Sequence, residues 1–222
     1  MSGMLTPPAR PPASRRVVLT LLALTFTTGL VDAVSYLGLG HVFTANMTGN
    51  VVLLGFGLAD AGGLPVLAPL VSLAAFAAGA TVAGFALRRG EIGERFLSGV
   101  LVAEGVFVAV AAIVAGTSDV RGGTVTAGII IALLAFAMGL RNAVVRKLAV
   151  ADLNTTVLTM TITGLASDGS TAAHGSHGRR LAAVLCMLIG AFAGALLVKS
   201  HLWPPLAITA AIAVVLAWVV RR

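Results

Sequence analysis

The residues of this 222-residue sequence that could do chemistry are polar side chains set inside apolar runs. Asp32 heads them, in GLVDAVSYLGLGHVFTANMTGN, Gly29 to Asn50, on a helical stripe with Thr25, Thr28 and Ser35. An ionisable group deep in an apolar span costs a few kcal/mol on insertion and marks a solute or ion site, where a carboxyl could carry a proton or hold a cation. The competing reading is a hydrogen-bonded aspartate that ties its span to Asn46 or Asn50. Thr44 with Thr48, and Asn46 with Asn50, have the spacing of residues sharing a helix face. Asn142, Asn154 and Thr156 are the matching polar set in the second half, where Asp152, Thr156, Thr159 and Thr163 form one stripe. Asp152 reads equally well as the cap of its own segment. The candidate solute- or ion-binding set is therefore Asp32, Asn46, Thr48, Asn50, Asn142, Asn154 and Thr156, with Asp32 and Glu104 as ion-coupling carboxyls. Arg141 could pair with a carboxylate, but snorkelling to the nearer interface is the favoured reading.

Other chemistries lack their residues. The sequence has no HExxH, no Gly-x-Ser-x-Gly and no Ser/His or Cys/His arrangement placed for attack, which argues against an enzyme and against a cofactor. His174 and His177 form an incomplete metal-ligand set in a polar loop. Cys186 excludes an internal disulfide, since it has no second cysteine. Asn46-Met47-Thr48 and Asn154-Thr155-Thr156 match the glycosylation pattern, but their embedded setting argues against modification. A net charge of +7 would suit nucleic acid only on a basic face with aromatics. Here Lys and Arg fall in short clusters between apolar runs.

The elements that must position these residues are membrane spans. Hydrophobic residues make up 58% and charged residues 10% of the chain, with a mean hydropathy of +1.02, far from a soluble composition of about a quarter charged residues. Long runs near 17–39, 66–87, 96–115, 124–145, 181–199 and 202–220 can each cross a bilayer. Two shorter ones, near 44–59 and 152–166, reach about half way. GLVDAV at 29–34 returns as GLRNAV at 139–144, NMTGNVVL at 46–53 as NTTVLTMT at 154–161, and the small-residue run at 79–84 as that at 190–194. All three recur about 110 residues apart, as a duplicated half does. The expected domains are a Pro-rich basic tail, 1–16, a first repeat, 17–116, and a second, 124–222. The tail could also be read as the start of a signal peptide, but the run after it is long for one. Six spans with two re-entrant segments put nearly all Lys and Arg on one side, which the positive-inside rule makes cytoplasmic together with both termini. Three spans per half then invert the second half, as in many secondary transporters. The fold class expected is thus an all-α polytopic membrane protein, with the two re-entrant segments building one polar cavity at Asp32 and a separate counterpart at Asn142.

The stretches GLVDAVSYLGLGHVFTANMTGN and MGLRNAVVRKLAVADLNTTVLTMTITGLASD resemble the YoaK-like family of bacterial integral membrane proteins, whose defining domain has no known function. The resemblance covers essentially the whole chain after the tail. It implies a bacterial inner-membrane protein and brings no activity, substrate or catalytic residue. The chain departs from the family's pattern at Arg141, where the resemblance implies glutamine. Two functional classes follow from the residues. A small transporter or channel for a solute or ion accounts for the inverted halves, the half-membrane segments and Asp32 together. A membrane scaffold or assembly protein accounts for the apolar bulk and for small-residue spacings such as Ala75 to Gly79 and Gly190 to Gly194, which suit close helix packing and could also join copies of the chain in a homo-oligomer. The lipid bilayer is the one partner the composition requires, and Trp203 beside Pro204 and Pro205 suits an interfacial anchor.

Overall fold

The computed structural model describes residues 15–89, 93–148, 158–167 and 176–222. Over them the protein is an all-α polytopic membrane protein with no strand, built from α1 (Arg15–Gly38), α2 (Met47–Leu58), α3 (Leu67–Arg89), α4 (Glu94–Thr117), α5 (Val125–Leu148), α6 (Leu158–Ser167), α7 (Ser176–Val198) and α8 (Trp203–Arg221). Six of these are long and apolar enough to cross a membrane, and α2 and α6 are the short ones. Helix is the expected form, since a hydrocarbon environment offers backbone N–H and C=O groups no partner outside their own segment.

Most boundaries fall within a few residues of the apolar runs. Among the long helices the exception is α7, which starts at Ser176 rather than near 181. Its first turn takes in His177, Arg179 and Arg180, charged or polar residues that hide from a hydropathy reading but continue the helix at its basic end. The first short segment also begins later than its polar residues. Asn46 is the N-cap of α2, with Gly49 N–H donating to Asn46 Oδ1 at 3.4 Å. Thr44 and Asn46 therefore precede the helix and share no helical face with Thr48 and Asn50, contrary to the spacing argument.

Lipid is as apolar as leucine, so helices associate through close packing rather than through expulsion of water. Two crossings here are as close as backbone allows. On α1 and α7, a Cβ at Gly29 would overlap Met187 O, and one at Gly190 would overlap Phe26 O. On α3 and α5, a Cβ at Gly139 would overlap Phe76 O, and one at Gly79 would overlap Phe136 O. The second crossing uses the counterparts of the first, residue for residue. The third close pair, α4 with α8, is antiparallel: Ser98 Oγ donates to Ala217 O at 2.7 Å near one end and Gly116 lies on Trp203 near the other.

The core is split in two. One apolar cluster gathers Val31 and Val34 with Val108, Ile130, Leu134, Met138 and Leu206. The other gathers Leu21 and Leu24 with Ala83, Leu101, Val144, Ala183 and Ala217. The second cluster joins the start of α1, α4 and α7 to the end of α3, α5 and α8, so Arg15, Arg16, Arg88, Arg95, Arg146, Lys147 and Arg221 all belong to that end of the bundle. Between the two clusters lies a polar layer of Thr27, Thr28, Glu104 and Arg141.

Candidate functional site

The site starts where α1 gives way to a loop. Gly40 at φ 107° and His41 at φ 58° turn the chain sharply, and it runs back into the bundle instead of away from it. Thr44 N–H and Ala45 N–H both donate to Asp32 Oδ1, at 3.1 and 3.0 Å. Asp32 lies six residues before the end of α1 at Gly38, so the loop has returned to roughly 9 Å below the helix end. Asn50 holds the loop's other flank. Phe43 N–H donates to Asn50 Oδ1 at 2.9 Å, and Asn50 Nδ2 donates to Phe43 O at 2.6 Å and to Ser72 Oγ at 3.0 Å. Ser72 Oγ donates in turn to Phe43 O at 2.7 Å, joining the loop to α3. Leu39 and Val42 ahead of α2 and Ala68 and Val71 at the start of α3 pack on the same apolar cluster, so this segment enters and leaves the bundle at one end.

Asp32 is thus bonded to loop backbone, not to the side chains of Asn46 or Asn50. Its second oxygen, Oδ2, is buried and has no hydrogen-bond partner, and the side chain is 5% exposed. It lines a half-open cavity of about 1160 Å³ bordered by α1, α3, α5, the start of α2, α6 and α7. Asn46, Thr48 and Asn142 line the same cavity. Asn142 therefore shares a chamber with Asp32, to which the sequence echo pairs it. Phe76 and Met187, another pair of counterparts, line it as well. Asn50 is outside the cavity and fully buried, where it fixes the loop. Asp152, Asn154 and Thr156 lie outside the described residues. Among the described residues no group of His, Cys, Asp and Glu could hold a metal ion.

The reading of Arg141 as a snorkelling side chain is corrected by the structure. Arg141 is 2% exposed, and its Nη1 donates to Glu104 Oε1 at 2.8 Å and to Thr27 Oγ1 at 3.2 Å, while Nη2 donates to Thr28 Oγ1 at 2.6 Å. The two threonine hydroxyls meanwhile donate to Leu24 O at 2.9 and 2.8 Å, so donor and acceptor capacity are both engaged. Snorkelling fails because two neighbouring helices, α1 and α4, offer the guanidinium oxygen acceptors at its own depth, and a paired charge need not reach water. Glu104 is wholly buried behind Arg141, with Oε1 paired and Oε2 unpartnered. Sequence reasoning treated these two as unrelated because Glu104 and Arg141 come from different halves, and neither has a charged counterpart to flag it. Thr27 was missed as well; its place next to Thr28 carried no periodic signal.

The family described as "Protein of unknown function (DUF1275)" matches residues 20–219. UPF0700 transmembrane protein YoaK of Bacillus subtilis (strain 168) is 36% identical over 156 residues, which cover 70% of this chain and 68% of that protein. No solved structure matches the chain. The six apolar helices and the transmembrane relative together make this a multi-pass membrane protein.

Proposed function

The chain belongs to the DUF1275 family of proteins of unknown function, and from that premise we propose that it is a small secondary transporter or channel for a solute or ion, with its polar site where two inverted repeats meet. The observation that carries the reading is the mid-bundle cavity of about 1160 Å³, into which Asp32 brings a buried carboxylate oxygen with no protein partner. A protein that only scaffolds others gains nothing from a buried, unpaired acceptor, which costs about 1–3 kcal/mol to leave unsatisfied.

Supporting the inverted repeat, 17–116 against 124–222, are the two glycine crossings that use counterpart residues, α1 on α7 and α5 on α3. Exchange of the halves carries one crossing onto the other. Asp32 with Asn142 and Phe76 with Met187 then line one cavity, the place where inverted-repeat transporters bind their solutes. The basic end of the bundle is cytoplasmic in this proposal, together with both termini, in the plasma membrane of a bacterium. The protein acts by binding and conformational change, not by catalysis.

The test is flux in proteoliposomes loaded in turn with amines, amino acids, sugars, carboxylates and monovalent salts. The expected outcome is passage of one class, lost in Asp32→Asn. That substitution keeps the Oδ1 acceptor for Thr44 and Ala45 and so keeps the fold. Folded, correctly inserted protein that passes none of these classes would overturn the proposal.

A further inference from the structure

The charges around the cavity are separated along its wall, and their placement restricts what can bind. Arg141 lines the chamber, but its guanidinium is engaged by Glu104 at 2.8 Å and by both threonine hydroxyls. The Glu104–Arg141 pair is neutral as a unit and lies in the layer between the two apolar clusters. What it leaves on the chamber wall is Asp32, with Arg146 and Lys147 at the end of α5. Two backbone N–H groups satisfy Oδ1, while Oδ2 has neither a donor nor a countercharge within bonding distance. A group bearing N–H donors and a positive charge would supply both.

Size and wall chemistry decide which cation. The chamber's 1160 Å³ is on the scale of pockets for organic ligands, roughly 300–1,000 Å³, and far larger than the roughly 30 Å³ that a water molecule takes up. A bare ion would leave it nearly empty. The wall carries apolar Met47, Val52, Phe76 and Met187 alongside polar Asn46, Thr48 and Asn142. The far end is lined by Arg146 and Lys147, so a cation settles at the Asp32 end, away from them. We propose that the solute is an organic amine whose ammonium group donates to Asp32 Oδ2 while its apolar body lies against Phe76, Met47 and Met187. This rests on the transport site described above and names its substrate class.

Binding tests it separately from flux. Purified full-length protein in detergent is titrated with benzylamine, benzyl alcohol, benzoate and sodium chloride, following heat of binding and thermal stabilisation. Benzylamine is expected to bind, with benzyl alcohol and benzoate at least about tenfold weaker. Asp32→Asn should weaken benzylamine by at least about tenfold at unchanged thermal stability. Phe76→Ala should weaken benzylamine while leaving methylamine unaffected, which separates the apolar wall from the carboxylate. The inference falls if benzylamine fails to bind, if benzoate is preferred, if Asp32→Asn binds benzylamine normally, or if sodium alone saturates the site. Asp32-dependent benzylamine binding without flux would leave this inference standing and remove the transport reading. Flux of a neutral or anionic solute that benzylamine does not inhibit would do the reverse.

Discussion

Replacing the buried ion pair tests how the middle of the bundle is held. Glu104 and Arg141 are 0% and 2% exposed and meet at 2.8 Å, with Thr27 and Thr28 completing the guanidinium's partners. Glu104→Leu leaves the guanidinium buried with two neutral hydroxyls as its acceptors. Arg141→Met leaves a carboxylate whose Oε2 already lacks a partner with Oε1 unpartnered too. Each single change should therefore cost about 3–5 kcal/mol, the usual loss on breaking a buried pair. The double variant is different, because Leu and Met restore an apolar layer between the two clusters. Thr27 and Thr28 are not stranded, as their hydroxyls still donate to Leu24 O. Its stability should lie within about 2 kcal/mol of the parent, since apolar replacement of a whole buried pair is often neutral or better. The coupling energy of the cycle is then several kcal/mol. Unfolding by SDS in mixed micelles, followed by helical circular dichroism and by the fluorescence of Trp203 and Trp218, gives all four free energies. If the double variant loses the sum of the two single losses, the pair is not one unit and the polar-layer argument is refuted.

The glycine crossings make a paired prediction. Gly190→Ala and Gly139→Ala should each lower stability by about 1–3 kcal/mol, because the added Cβ overlaps Phe26 O or Phe76 O. Gly84→Ala, where nothing lies within 4 Å, should be close to neutral in the same SDS unfolding assay. Asn50→Leu should cost about 1–3 kcal/mol by stranding Phe43 N–H, and amide hydrogen exchange should show residues 43–46 losing protection before α1 does. For topology, single cysteines replacing Asp60 or Asp119 in a Cys186→Ala background should react with an impermeant thiol reagent in intact cells. Those replacing Arg88 or Lys147 should react only after the membrane is opened. The reverse pattern would turn the proposed orientation over.

Class, span number and even the spacing of the crossings were legible in the sequence. Long uncharged runs have one stable form in a bilayer, and the echo of Gly29 in Gly139 and of Gly79 in Gly190 marks the places where backbones meet without a Cβ between them. Asp32 was legible for a related reason, since a carboxyl among apolar residues announces its own cost. What each polar residue bonds to was not. Asn46 and Asn50 have the same side chain at helical spacing, yet one caps α2 beside the cavity and the other is buried against α3, because the helix starts between them. Arg141 was misread because snorkelling depends on how far water is, whereas its partners are Glu104 on α4 and two threonines on α1, brought together only by packing. The chamber that Asp32 and Asn142 share has the same origin. The echo of GLVDAV in GLRNAV sets Asp32 against Asn142 in sequence, but whether the two face one space or two depends on how the helices pack, and only the tertiary contacts decide that.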